Sequence, residues 1–397
     1  MAITRRQLLG SGLAGLAASC SARLYAAPKS APRFLLVFLR GGYDCANLLI
    51  PYASADYYAV RPRIAIARPD PQQMSGALEL DAHWALAPAV REALVPLYTQ
   101  RQLAFIPFAG TEDLSRSHFE TQDSIELGQP VNEARNLRSG FLARLVGVLN
   151  GGTPIAFTDS LPLALQGHGD IPNISLRSVD KPAFDARQSA LLSSLYANHP
   201  LHAAVEDGLE LRAEVSRTMA DEMSAANRNA VTTKGFELEA ERMAHLMREQ
   251  YRIGFVDIGG WDTHVNEGAT QGTLATGLES LARGLRSYAQ ALGGEWSNTV
   301  VVVLSEFGRT FRENGNQGTD HGHGSVYWVL GGSLSGGRIC GEQVPVSLAS
   351  LFQGRDYPVL NDYRAILGSL FATLWGLSAS QLERIFPTVA PLDLHLV

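Results

Sequence analysis

The 397-residue sequence predicts an α/β protein with a mainly parallel β-sheet and helices on both faces of that sheet. Three observations support this fold class. Short runs that are apolar at every position recur along the chain, longer segments with helical spacing lie between several of them, and Gly-rich polar turns follow most of them. A strand that helices bury on both faces is apolar without alternation, as these runs are.

Five apolar runs have the length and composition of buried strands. The first, 34–39, ends in Arg40 followed by two glycines, which is typical of a strand and its turn. The five predicted strands are 34–39, 103–108, 253–258, 299–304 and 326–330.

Helices are predicted between these strands. The segments 88–100 and 274–292 have apolar residues at the spacing of one helix face. The stretch of about 183–250 is rich in Ala, Glu, Arg and Leu, with almost no Gly or Pro after Pro200. We expect it to form two or three helices, as an insertion packed beside the sheet of one α/β domain, 28–397.

The first residues predict export. Arg5 and Arg6 precede a polar residue and two leucines, and the apolar run that follows is too short and too weakly hydrophobic to span a bilayer. We therefore predict a twin-arginine signal peptide over 1–27, the twin-arginine translocase as a partner, and a periplasmic or extracellular location. Two alternatives are an ordinary amphipathic first helix and a lipoprotein anchor at Cys20.

Composition limits the partners. The formal net charge is −6 and no long basic cluster occurs, which argues against nucleic acid as a partner. After the signal no apolar stretch is long enough to predict a membrane span. Cys45 and Cys340 are the cysteines left in the mature chain, and they could form one disulfide.

Residues of the metal-ligand type follow four of the predicted strands and lie in the loop that leads into the fifth. Ligands bind at the carboxyl ends of strands in open α/β sheets, so these residues should meet. Imidazoles and carboxylates suit Zn²⁺ or Mn²⁺, and Mg²⁺ or Ca²⁺ where oxygen dominates, as one or two divalent ions. The candidate ligands are Asp44, Asp262, His264, Glu306, His321 and His323.

Each candidate also has an ordinary structural explanation. Asp44 could cap a turn, Asp262 could form an Asx-turn, and Glu306 could pair with Arg309. The residues after the second strand, Ser115 to His118, could simply begin a helix. Two histidines that alternate with glycine in 320–324 rarely serve packing, and the convergence of all these residues favours a metal site.

Four blocks resemble the hallmark sequences of the domain of unknown function 1501 family, whose members commonly carry twin-arginine signals. They are 39–44, 260–264, 305–310 and 318–324, and the resemblance runs from about Arg33 to the carboxyl end.

That family in turn resembles the alkaline phosphatase and sulfatase superfamily. The resemblance implies an alkaline-phosphatase-like fold and metal ligands among the residues above. It also implies a nucleophile at the start of a helix, here Ser117 or Ser115, assisted by Arg116 and His118. The superfamily has Asp-His-Gly where this chain has Glu306-Phe307-Gly308, so a single-metal site, altered chemistry or a non-catalytic site all stay open.

The predicted function is an exported metal-dependent hydrolase of phosphate or sulfate esters, acting on a small-molecule or polymer substrate. The alternative is an exported binding or assembly protein with a structural metal. An oxidoreductase is disfavoured because no Gly-x-Gly-x-x-Gly turn follows a strand and no Cys-rich cluster occurs.

Overall fold

The computed structural model describes residues 31–73, 75–169, 171–175, 186–210 and 235–397. The predicted signal peptide, 1–27, lies outside the described residues, as do parts of the predicted insertion. The division into signal and domain stays a prediction.

Among the described residues an eight-stranded sheet forms the centre of the fold, in the order β10-β5-β9-β8-β1-β7-β6 with β11 beside β5. A small antiparallel sheet, β2-β4-β3, lies apart from it. The strands are β1 (Arg33–Leu39), β2 (Leu49–Ile50), β3 (Leu78–Glu79), β4 (Ala85–Leu86), β5 (Leu103–Gly110), β6 (Pro154–Phe157), β7 (Ile253–Ile258), β8 (Thr299–Ser305), β9 (Ser325–Gly331), β10 (Arg338–Ile339) and β11 (Asn361–Asp362).

Helices cover the sheet, and a further helical run spans 202–210. The α-helices with defined bounds are α1 (Ala55–Val60), α2 (Arg91–Thr99), α3 (His118–Leu127), α4 (Phe141–Leu149), α5 (Ala186–Tyr196), α6 (Phe236–Glu249), α7 (Thr273–Leu292), α8 (Tyr363–Trp375) and α9 (Ala379–Ile385). Short 3₁₀ turns occur at Cys45–Asn47, Pro88–Val90, Leu163–Leu165 and Gly293–Asn298.

The strand pairing confirms a mainly parallel sheet. β1 runs parallel to both β7 and β8, and β6 runs parallel to β7. β9 is the exception, because it is antiparallel to both β5 and β8. Its register pairs Val303 with Trp328, so β9 begins where β8 ends. The loop that enters β9 therefore lies at the same sheet edge as the loops that leave β1, β5, β7 and β8.

Two apolar cores confirm that helices cover both faces. Alternate residues of β1 point to opposite faces, as the period of a strand requires. Leu35 and Val37 belong to the core that also contains the apolar faces of α2, α6 and α7. Phe34 and Leu36 belong to the other core, together with those of α4, α8 and α9.

The five predicted strands and the predicted helices 88–100 and 274–292 agree with the observed elements to within a few residues. The predicted helix 88–100 begins as a 3₁₀ turn at Pro88–Val90 and continues as α2. Cys45 and Cys340 are buried free thiols, so the disulfide that the sequence allows is not formed. Of the helices that the structure describes, none has the length and apolarity needed to cross a membrane.

Candidate metal centre

Three histidines and one aspartate meet at the carboxyl edge of the sheet. His118 is the first residue of α3 and follows β5, while Asp262 and His264 lie in the loop after β7. His321 lies in the loop that enters β9, and it reaches this edge because β9 runs antiparallel to its neighbours. We call these four residues the metal group.

The ligand atoms of the metal group are close together. One ligand atom from each of His118, Asp262 and His321 lies within 4.8 Å of the others. The carboxylate oxygens of Asp262 are 3.5 Å from His118 Nε2 and 3.3 Å from His321 Nε2. His264 Nε2 lies 2.9 Å from Asp262 Oδ1 and 3.1 Å from His321 Nε2.

The other ring nitrogen of each histidine contacts an acceptor outside the group. His118 Nδ1 is 2.8 Å from Glu306 Oε1, and His264 Nδ1 is 3.2 Å from Asp320 Oδ1. His321 Nδ1 is 3.0 Å from the backbone carbonyl of Arg116. An Nδ1 that donates a proton outward leaves the Nε2 lone pair of a neutral ring directed inward.

A proton or a cation must lie between two of these inward nitrogens. His264 Nε2 and His321 Nε2 face each other at 3.1 Å, and two lone pairs do not bond unless a proton or cation lies between them. His118 Nε2 is buried and has no hydrogen-bond partner among the described residues. The donor set of three imidazoles and one carboxylate is the type that Zn²⁺ prefers, so the residues fit a divalent metal.

Arg309 keeps Asp262 ionised. Its Nη1 donates to Asp262 Oδ1 at 2.6 Å. Burial raises the pKa of the Asp262 carboxyl, but Arg309 outweighs burial and holds that pKa below its usual range. The sequence allowed Arg309 to pair with Glu306, and the structure places it against Asp262 instead.

Glu306 lies outside the metal group and holds the ring of His118 in position. Its Oε1 accepts from the backbone N–H of Gly41 at 2.8 Å, from Gln122 Nε2 at 2.8 Å and from His118. Burial raises the pKa of Glu306, but these donors outweigh burial and lower it. The same hydrogen bond raises the pKa of His118, whereas burial, together with the charges of His118 and Arg309, lowers the pKa of His321. Gly41 has φ +126°, and a Cβ there would meet the backbone of Asp262.

The structure does not bring Asp44 into the metal group. Both of its carboxylate oxygens contact the buried guanidinium of Arg61. Burial raises the pKa of Asp44, but Arg61 outweighs burial and lowers it. Glu267 lies beside this pair, and burial together with the charge of Asp44 raises the pKa of Glu267 well above its usual range. Asp44 thus compensates a buried charge.

His323 also lies outside the metal group. Its ring packs against Phe352, with the ring centroids 5.1 Å apart. Burial, with the charge of Arg116 nearby, lowers the pKa of His323 to about 4. Of the two histidines that alternate with glycine in 320–324, the structure therefore brings only His321 to the group.

The segment before α3 contacts the metal group through the backbone carbonyl of Arg116. Ser117 is the N-cap of α3, and its Oγ accepts from the backbone N–H of Glu120 at a long 3.5 Å. Ser115 Oγ lies 3.2 Å from Thr121 Oγ1. The guanidinium of Arg116 binds the buried carboxylate of Asp356 at 2.7 Å.

A sequence profile of the family described as "Protein of unknown function (DUF1501)" matches residues 31–386. The chain belongs to this family. The predicted family resemblance is therefore confirmed. Among curated proteins no match to the chain was found.

Several solved structures are similar to this DUF1501 chain. The lipoteichoic acid synthase LtaP from Listeria monocytogenes is 8% identical, covering 92% of this chain and 76% of that chain with a TM-score of 0.41. BT1596, a 2-O GAG sulfatase, is 11% identical over 88% and 72%, with a TM-score of 0.39. A protein in the alkaline phosphatase superfamily from Vibrio parahaemolyticus is 11% identical over 84% and 69%, with a TM-score of 0.38.

Sequence reasoning missed Gln122 and Asp320, which support the site, and Arg61 and Glu267, which lie beside Asp44 outside it. Gln122 lies one helical turn after His118, and that spacing alone could have linked the two. Asp320 directly precedes His321, yet only the structure shows it against His264. No sequence signal connects Arg61 or Glu267 to Asp44, because the fold alone brings them together.

Proposed function

We propose that the protein is an exported metal-dependent hydrolase of phosphate or sulfate esters, acting on a small-molecule or polymer substrate. One observation supports this most: ligand atoms of His118, Asp262 and His321 lie within 4.8 Å of one another, with His264 Nε2 3.1 Å from His321 Nε2, while the Nδ1 of each histidine is held by an acceptor outside.

His118, Asp262, His264 and His321 would hold the metal. A divalent ion bound there would supply Lewis-acid polarisation of an ester oxygen. The chain's own part is to keep the donors in the right protonation state. Glu306 and Asp320 accept the Nδ1 protons, and Arg309 stabilises the ionised form of Asp262.

Ser117 is the proposed nucleophile. It precedes His118 directly, and among the described residues its hydroxyl makes one hydrogen bond, the 3.5 Å capping contact with Glu120. Backbone N–H groups at the start of α3 favour a developing negative charge. Ser115 is the second choice, because its hydroxyl already contacts Thr121. The guanidinium of Arg116 is neutralised by Asp356. Arg116 would therefore assist through its backbone carbonyl, which orients His321.

The test combines metal analysis with turnover. The mature protein, loaded with Zn²⁺ or Mn²⁺, should hydrolyse an aryl phosphate or an aryl sulfate. Ser117→Ala should abolish turnover and keep the metal, while Ser115→Ala serves as the matched control with activity retained. If the metal-loaded protein hydrolyses neither ester, the hydrolase proposal fails.

One observation favours the alternative, an exported binding or assembly protein with a structural metal. Phe307 packs against the rings of His118 and His321, with centroids 4.9 and 5.0 Å away, on a side where the superfamily pattern has an imidazole. Bound metal without any turnover that depends on Ser117 would support this alternative.

Export is a separate proposal, based on Arg5 and Arg6 and the apolar run after them. The full chain should appear in the periplasm or the medium. Replacing both arginines with lysine should retain it in the cytoplasm at unchanged total expression. Export that persists without the arginine pair would contradict the twin-arginine route.

A further inference from the structure

A polar cavity of about 240 Å³ opens at the carboxyl ends of β1, β6 and β7, and no step of the proposed reaction uses it. Its lining includes an apolar floor of Phe157, Met243 and Val256, all of them buried. The polar walls come from residues at the strand ends, among them Arg40 and Asp257.

The cavity lies next to the metal group. Arg40 Nη1 donates to Gln122 Oε1 at 2.9 Å, and Gln122 Nε2 donates to Glu306 at 2.8 Å. Two hydrogen bonds thus join the cavity wall to the carboxylate that orients His118. Gly259 lines the cavity, and both it and Gly260 are exposed with open space where a Cβ would lie. These two glycines place no side chain between the cavity and the Asp262 loop.

The cavity is negative in charge. Among the described residues, Asp159 and Asp257 place two carboxylates in the lining, against the single guanidinium of Arg40. The donors of Arg40 are engaged, since Nε binds Asp257 at 2.7 Å, Nη1 binds Gln122 and Nη2 binds Glu126 at 2.8 Å. The walls therefore present acceptors and negative potential, which disfavours an anionic ligand and favours a cationic donor.

We propose that this cavity binds the ammonium of a short aminoalkyl group. The methylene stem would lie on the apolar floor, and the ammonium would face Asp257 and Asp159. This step rests on the hydrolase proposed above. The amine would belong to an ester substituent that stays bound while the other ester bond is broken. The protein should then prefer esters that carry a primary amine over their neutral hydroxyl analogues.

The experiment compares two chromogenic diesters, 4-nitrophenyl 2-aminoethyl phosphate and 4-nitrophenyl 2-hydroxyethyl phosphate. We expect kcat/KM to be about tenfold higher for the amine, the scale of one hydrogen bond to a charged group. Asp159→Asn, at an exposed position, should remove this preference and leave turnover of the hydroxyl ester unchanged. Asp393→Asn, at another exposed aspartate whose side chain is 61% exposed, is the matched control. Equal kcat/KM values in the wild type, or a preference that Asp159→Asn does not reduce, overturn the inference.

A binding measurement separates this inference from the hydrolase proposal. Calorimetric titration of the metal-loaded protein with ethanolamine should show binding that ethylene glycol does not show and that Asp159→Asn weakens about tenfold. If the protein hydrolyses neither the diesters nor the aryl phosphate and aryl sulfate but this pattern holds, the hydrolase proposal fails and the cavity assignment stands. If ethanolamine and ethylene glycol behave alike, the cavity assignment fails.

Discussion

Glu267 offers a quantitative test of the buried charge cluster. Its Oε2 accepts from Thr263 Oγ1 at 2.9 Å and from Thr319 Oγ1 at 2.8 Å, and the residue is fully buried beside Asp44. Burial and the charge of Asp44 raise the pKa of Glu267 well above its usual range, so the folded state keeps a proton that the unfolded state loses. Glu267→Gln keeps an acceptor for both threonines and cannot ionise.

The sign and size follow from proton linkage. Above the ordinary carboxyl pKa the unfolded state releases the proton and the folded state does not. The wild type therefore loses about 1.4 kcal/mol of unfolding free energy per pH unit, up to the raised pKa of Glu267. The variant lacks this loss, so it should gain stability relative to the wild type as pH rises over that range.

The assay is urea unfolding of both proteins at pH 5 and pH 6, where the difference in unfolding free energy should change by about 1.4 kcal/mol. Glu313→Gln is a control whose difference in unfolding free energy should stay nearly constant between pH 5 and pH 6 and should change only at lower pH. Arg63 Nε donates to Glu313 Oε1 at 2.6 Å, and this contact lowers the pKa of Glu313 against the effect of burial. The ionised Glu313 stabilises the fold above the ordinary pKa, and that contribution is lost as pH falls. If the Glu267→Gln difference does not vary with pH, the buried carboxyl is not protonated and the reasoning is refuted.

Three further predictions concern the metal group. His321→Ala should lose bound metal and His323→Ala should keep it, both measured by elemental analysis; equal metal content in the two would contradict the separation described above. Glu306→Gln should weaken metal affinity about 10- to 100-fold in a competition titration, because the amide is a poorer acceptor for the Nδ1 proton of His118; an unchanged affinity would remove Glu306 from the site. A chelator should lower the unfolding free energy by about 2.7 kcal/mol when the metal had been present at about 100 times its Kd, and a calorimetric scan with no shift would argue against a metal that binds the folded state.

Much of the fold could be predicted because burial on both faces of the sheet produces a recognisable apolar pattern in the sequence. A central strand such as β1 is apolar at each position after Arg33, and a helix such as α7 repeats its apolar residues at one face. The direction of β9 had no such signal, since a strand reads alike in both directions. The position of His321 therefore followed from the rule about sheet edges only once the pairing of β9 was known.

The site could be predicted less well, because a carboxylate's role depends on its neighbour in space. Asp44 and Asp262 both follow central strands, and both are paired with arginines in the fold. Arg61 contacts both carboxylate oxygens of Asp44, whereas the carboxylate of Asp262 also lies next to the histidines. Nothing in the residue types distinguishes these two outcomes.

The reversed β9 has a consequence for how the site can vary. Because β8 and β9 are adjacent and antiparallel, the loop between them starts and ends at one sheet edge. That single stretch, 306–324, carries the ligand His321. It also carries Glu306, Arg309 and Asp320, which orient the ligands or stabilise their charge. One ligand and three supporting groups can therefore change by substitution within this one loop, while the sheet beneath it keeps its sequence and register.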